Sequence, residues 1–150
     1  MPSGKVHDAF NLALLPLAIL TPKPLEPLPL AMGYIVGTMF FSPDLDLSKS
    51  RAAARWGLLR VLWLPYAKVA AHRRISHVPV LGLILRTAYL CILCMVVLIF
   101  LIACGVNIRL AFHGALPRHA LSFIIGMLIA DTLHIALDAL SSSLKRLMPK

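Results

Sequence analysis

The chain has 150 residues, the length of one domain, and 59% of them are hydrophobic while only 14% are charged. Soluble domains carry roughly 45–50% apolar and about 25% charged residues, so this composition is not that of an ordinary soluble protein and predicts a single membrane domain over residues 1–150. The net charge is +9, and because the basic residues lie between apolar segments it favours the lipid bilayer and anionic lipid headgroups as partners over nucleic acid.

The apolar pattern predicts an all-α fold, an integral membrane bundle of about four embedded helices plus one interfacial amphipathic helix. Two short apolar runs, 9–20 and 30–42, are separated by a proline-rich stretch at 21–29. We expect this stretch to be a loop, because proline removes the amide donors that a helix needs. Gly33 and Gly37 lie four residues apart in the second run, a spacing that lets two helix backbones approach closely in a membrane.

Residues 44–77 are the most basic part of the chain, and their aromatic and leucine side chains recur at spacings of three and four. This pattern is typical of a helix lying in the membrane interface. Residues 79–104 form the clearest predicted span, with Arg86 near its entry reaching back to the headgroups. Residues 120–140 form the last predicted span.

Orientation brings the polar motifs together. With four crossings and a cytoplasmic N-terminus, eleven basic residues fall inside and three outside, as the positive-inside rule requires. The motifs then meet at the cytoplasmic face of the membrane. The predicted metal ligands are His7, Asp44, Asp46, His72, His77, Asp131, His134 and Asp138.

The strongest motif lies in the last span. Asp131, His134 and Asp138 are spaced three and four apart, which places them on one helix face. A charged Asp at the centre of a span costs about 2.5–3.5 kcal/mol, so such residues are usually paired and functional. Imidazole and carboxylate donors together suit a divalent metal, with zinc as the first choice and manganese or iron as alternatives. A polar seam between two helices is the alternative interpretation.

The other motifs are weaker alone. Asp44 and Asp46 stand two residues apart, so that one can bind a metal while the other orients a histidine; an ordinary Asx turn explains the pair equally well. His72 and His77 converge only if the chain turns between them.

The motifs in combination resemble a known family. The chain begins Met-Pro-Ser-Gly-Lys-Val-His-Asp and later reads Ser-Pro-Asp-Leu-Asp, His-Arg-Arg-Ile-Ser-His and Asp-Thr-Leu-His-Ile-Ala-Leu-Asp. It is similar to small uncharacterised bacterial proteins, common in cyanobacteria, that are described as metal-binding. More distantly it resembles the inner-membrane metal-dependent hydrolases. The residues that fit this second pattern are Asp44, Asp46, His72, Arg73, His77, His134 and Asp138.

Two functions follow as hypotheses, and whether the protein is an enzyme stays open. The first is a metal-dependent hydrolase acting on a phosphoester or a lipid headgroup, in which Asp46 or Asp138 is the general base and Arg73 or Arg74 holds a phosphate. The second is a non-catalytic metal-binding scaffold or a membrane adaptor. The sequence does not predict an oligomeric state.

Overall fold

The computed structural model of the chain describes residues 3–20, 25–70, 77–107 and 116–147. Within those ranges every regular element is a helix, so the predicted all-α fold class is confirmed. The α-helices are α1 (Gly4–Ile19), α2 (Pro27–Met39), α3 (Arg51–Arg55), α4 (Leu64–Val69), α5 (Pro79–Ala103) and α6 (Leu116–Leu147). Two 3₁₀ helices, Pro43–Asp46 and Gly57–Trp63, lie on either side of α3.

Two helices of the described chain are long and apolar enough to cross a membrane, α5 over Pro79–Ala103 and α6 over Arg118–Leu147. The helices α1 and α2 have 16 and 13 residues, about 24 and 20 Å at 1.5 Å per residue. Each is shorter than the roughly 30 Å hydrocarbon core. The expected four crossings are therefore reduced to two helices of spanning length.

The glycine prediction for the second run is confirmed, because α2 packs backbone to backbone against α6. A Cβ added at Gly33 would lie 1.9 Å from the Phe123 carbonyl oxygen, and one added at Gly126 would lie 2.1 Å from the Leu30 carbonyl oxygen. Near the start of α2, the Glu26 amide donates to Ser122 Oγ at 2.9 Å. Since residue numbers rise together along both helices, α2 and α6 run parallel.

The helix α1 runs antiparallel to both. Its Asn11 side chain donates to the Ala130 carbonyl at 3.0 Å, and the Tyr34 hydroxyl donates to the Asn11 carbonyl at 2.6 Å. Farther along α1, Ala18 packs with Leu30. The helix α5 is also antiparallel to α6. The start of α1, the end of α2, the start of α5 and the later part of α6 consequently meet at one end of the bundle.

The predicted interfacial helix over 44–77 is wrong in detail, because residues 43–70 form four short helices. We call this stretch the short-helix segment. Ser50 caps α3 by accepting from the Ala53 amide, and Gly57 has a φ of 56°, which ends α3 since L side chains avoid that region. Pro65 then lies in the first turn of α4.

The aromatic side chains of this segment also depart from the prediction. Trp63 is buried, and its ring lies 5.2–5.7 Å, centroid to centroid, from the rings of Phe41, Trp56, Tyr66 and Tyr89. Aromatic rings at these distances stabilise a core through edge-to-face and tilted contacts. The aromatics therefore anchor the segment to α5, while leucines such as Leu58 and Leu59 are exposed.

Candidate metal centre

Five ionisable side chains from four separate parts of the chain meet at the common end of the bundle. We call them the His–Asp cluster, and its members are His7, Asp44, His77, His134 and Asp138. His7 lies near the start of α1, Asp44 lies in the 3₁₀ helix after α2, His77 precedes α5, and His134 and Asp138 share one face of α6. The cluster thus depends on every long element of the fold.

The local sequence determines the positions of the two carboxylates, Asp44 and Asp138. Ser42 accepts a hydrogen bond from the Asp44 amide at 3.4 Å, and Pro43 occupies the first position of the 3₁₀ helix. This tight turn follows directly after α2 and presents Asp44 to α6. On α6, His134 and Asp138 are four residues apart, so the helix itself sets their relative position.

Imidazole nitrogens and carboxylate oxygens alternate around the cluster. Asp138 Oδ1 lies 3.2 Å from His7 Nε2, and Asp138 Oδ2 lies 3.6 Å from His77 Nε2. Asp44 Oδ1 lies 3.8 Å from His77 Nε2 and 3.7 Å from His134 Nε2. The His7 and His134 rings stack with their centroids 4.0 Å apart.

The three longer separations, 3.6–3.8 Å, fit a metal ion better than direct hydrogen bonds, while the His7–Asp138 distance of 3.2 Å lies at the upper limit for a hydrogen bond. Two ligand atoms that are each about 2.1 Å from a tetrahedral ion lie roughly 3.4 Å from one another, whereas hydrogen-bonded N and O atoms are usually closer than about 3.2 Å. Two triads each bring three ligand atoms within 4.8 Å of one another, His7–His134–Asp138 and Asp44–His77–His134. His134 belongs to both triads.

Unsatisfied buried atoms indicate the same chemistry. His7 Nδ1, His134 Nε2 and Asp138 Oδ1 are buried and make no hydrogen bond within the described part of the chain. Leaving such a polar atom without a partner costs about 1–3 kcal/mol. The donor set of imidazole nitrogen and carboxylate oxygen fits a divalent metal of the zinc, manganese or iron type.

Asp44 is the most accessible member, with 23% of its side chain exposed. Burial raises its pKa, but attraction to the imidazoles of His134, His77 and His7 outweighs burial and leaves the pKa below its usual value. Asp44 is therefore a carboxylate over the range in which a histidine is neutral and can bind a metal. The cluster opens to the exterior on this side.

Asp131, the third predicted ligand on α6, has a different partner. Its carboxylate accepts a hydrogen bond from Arg86 of α5, and both side chains are buried. Asp131 belongs to neither triad. The expectation that Arg86 reaches out to headgroups is wrong, because the buried carboxylate attracts the guanidinium inward.

The remaining predicted site residues fall elsewhere. Asp46 is buried and lies outside both triads. His72 and Arg73 lie outside the described residues, so their predicted roles stay predictions.

Sequence reasoning missed a contact that supports His7. Its neighbour Asp8 pairs with Arg55 of α3 at 2.5 Å and with Arg51 at 3.1 Å. Arg55 also donates to the Met39 carbonyl, the last residue of α2, at 2.9 Å. We call the Asp8–Arg55–Met39 contact the latch, because it ties the start of α1 to the end of α2. The adjacency of Asp8 to His7 was the available signal.

Comparison with known proteins identifies relatives by sequence. The family model described as "Uncharacterized metal-binding protein (DUF2227)" matches residues 2–148. An uncharacterized protein of Aquifex aeolicus (strain VF5) is 36% identical over 137 residues, covering 79% of this chain and 94% of the relative. No solved structure matches. The predicted resemblance to metal-binding proteins is thus confirmed, while the more distant resemblance to hydrolases stays a prediction.

Proposed function

We propose, from the premise that the chain belongs to the family of uncharacterised metal-binding proteins, that it is an integral membrane metalloprotein that hydrolyses phosphoesters. The His–Asp cluster is the proposed site for a divalent metal, with zinc as the first choice. The observation that carries the proposal is the convergence of the cluster. Three histidines and two aspartates, distant in sequence, have ligand atoms at metal-like separations in a chain with few polar residues.

The exposed surface of α5 supports the membrane location. Exposed apolar side chains occur along the whole of α5, from Val80 near its start to Ile102 near its end. In its second half, Met95, Val96, Ile99 and Phe100 are each about 60% exposed. A run of exposed apolar side chains at the end of a 25-residue helix has no stable place in water and fits a hydrocarbon core. The basic residues of the segment between α2 and α5 favour the cytoplasmic side of a bacterial inner membrane or a thylakoid.

Hydrolysis draws on the positions of the carboxylates. A divalent metal bound here supplies acidification of water and polarisation of a phosphoryl oxygen. Asp44, the most exposed member of the His–Asp cluster, would bind the metal from the accessible side of the cluster. With the metal held by Asp44, His77 and His134, Asp138, which lies between His7 and His77, would be free to accept on Oδ2 the proton that the attacking water loses. Arg73 remains the proposed phosphate contact and Asp46 the proposed orienting carboxylate.

Elemental analysis of the detergent-purified protein tests metal binding. Because His134 belongs to both triads, His134→Ala is expected to lose bound metal. His119→Ala is the matched control, since His119 is exposed near the start of α6, far from the cluster. Equal metal content in the wild type and in His134→Ala, with both proteins folded as judged by circular dichroism, would overturn the proposal.

Turnover of a generic phosphodiester by the zinc- or manganese-loaded protein tests hydrolysis. Asp138→Asn is expected to lower kcat by at least about a hundredfold if the carboxylate is the base, while Asp44→Asn loses metal. If the wild type holds metal and shows no turnover, the protein is the alternative, a non-catalytic metal-binding scaffold or adaptor.

A further inference from the structure

A second polar site lies in the short-helix segment, apart from the His–Asp cluster. A pocket of about 460 Å³ is lined by Ser48, Lys49, Leu58, Arg60, Val61 and Leu64. It combines two cationic side chains and a hydroxyl with three aliphatic side chains. None of these six residues belongs to either triad.

The two cations of this pocket differ from the other arginines of the segment. Arg51 and Arg55 are paired with Asp8. Within the described residues neither Lys49 nor Arg60 has a carboxylate within ion-pair distance, and no acidic side chain is among those that line the pocket. Two neighbouring cations without a counter-ion attract an anion, and a phosphate oxygen accepts from both ammonium and guanidinium donors.

The apolar side of the pocket is equally unpartnered. Leu58 is 94% exposed, and Val61 and Leu64 are also exposed. Exposed aliphatic side chains beside unpaired cations are the pattern of a surface at the boundary between headgroups and acyl chains.

We propose that this pocket binds the phosphate of an anionic phospholipid headgroup, with Lys49, Arg60 and Ser48 contacting the phosphate and Leu58, Val61 and Leu64 contacting the acyl chains. Charge complementarity selects the anionic lipid, since a zwitterionic headgroup would bring its own cation to a site that already holds two. The inference rests on the membrane location proposed above and not on the bound metal.

Lipid retention measures the proposal directly. The full chain is purified in detergent, supplied with a mixture of phosphatidylglycerol and phosphatidylcholine, and the lipid that stays bound is quantified by native mass spectrometry. The wild type is expected to retain phosphatidylglycerol selectively. The double variant Lys49→Ala/Arg60→Ala is expected to bind it on the order of tenfold more weakly, and Lys49→Arg/Arg60→Lys is expected to retain it.

The matched control is Lys145→Ala/Arg146→Ala, which removes the same charge from the exposed last turn of α6. If this control loses as much phosphatidylglycerol as the pocket variant, the attraction depends only on net charge, and the proposed pocket is not the binding site. If millimolar inorganic phosphate displaces phosphatidylglycerol and the pocket shows no preference for the lipid, the ligand is free phosphate and not a lipid headgroup. All variants are expected to retain bound metal and to be recovered with the membranes. A wild-type protein that is not recovered with the membranes would contradict the proposed membrane location instead.

Discussion

Arg86 of α5 and Asp131 of α6 form a buried ion pair one helical turn before His134. The pair fastens α5 to α6 just beneath the His–Asp cluster. Because His77 lies two residues before α5 and His134 belongs to α6, this contact between α5 and α6 also helps to place these two imidazoles relative to one another.

Removing the arginine alone is expected to be strongly destabilising. Arg86→Met leaves the Asp131 carboxylate buried without its counter-charge, which costs about 3–5 kcal/mol, and unfolding in detergent should shift accordingly. Arg118→Ala is the control, because Arg118 lies 3.8 Å from Glu26 at an exposed position, where ion pairs contribute little. Comparable loss of stability in both variants would contradict the assigned role of the buried pair.

The close contact of α2 and α6 predicts a graded response to added methyl groups. Gly33→Ala places its Cβ against the Phe123 carbonyl and is expected to destabilise by at least about 1–3 kcal/mol. Gly37→Ala meets Met127 Cα at 3.0 Å and should cost less. Gly4→Ala meets only the flexible Arg51 side chain and should be tolerated. Denaturation midpoints in any other order would show that the helices are not packed as described.

The latch is expected to tune metal affinity without supplying a ligand. Arg55→Ala frees both Asp8 and the end of α2, so His7 and Asp44 lose their relative placement. We expect metal affinity to fall on the order of tenfold, as for other residues that orient ligands, with full occupancy restored at high metal concentration. Arg51→Ala, which removes the more exposed partner of Asp8, should change affinity less than twofold in the same titration.

Acidification is expected to release the metal through the histidines and not through Asp44. Since the pKa of Asp44 lies below its usual value, this carboxylate stays charged in the pH range where free imidazoles, with pKa values near about 6.5, take up protons. Its contribution to stability is likewise present above its unfolded pKa and lost as pH falls through the lowered one. Metal content measured against pH should therefore decline between roughly pH 7 and 5, and retention at pH 4 would contradict this.

Sequence alone was sufficient for the features that follow from periodicity and charge. The spacing of His134 and Asp138 fixes their shared face, and the bias of basic residues predicted that His7, Asp44 and His77 would lie at the same end of the bundle. The close approach at Gly33 followed from its spacing to Gly37.

Other features depend on contacts between distant residues, which no local pattern reveals. Asp131 has the spacing of a third ligand, but Arg86, 45 residues away in sequence, pairs with it. Trp63 has the spacing of an interfacial aromatic, but Phe41 and Tyr89 surround it. In both cases the observed partner is distant in sequence, so the local pattern could not predict it.

The parallel contact of α2 and α6 has a consequence for the order of assembly. Gly33 and Gly37 of α2 are synthesised long before Gly126 of α6, and His7 is synthesised well over a hundred residues ahead of Asp138. An unfinished chain thus exposes its earlier histidines and aspartates without His134, which both triads require. Loading of the ion must therefore follow translation of the final helix, and C-terminal truncations ahead of residue 134 should never acquire it.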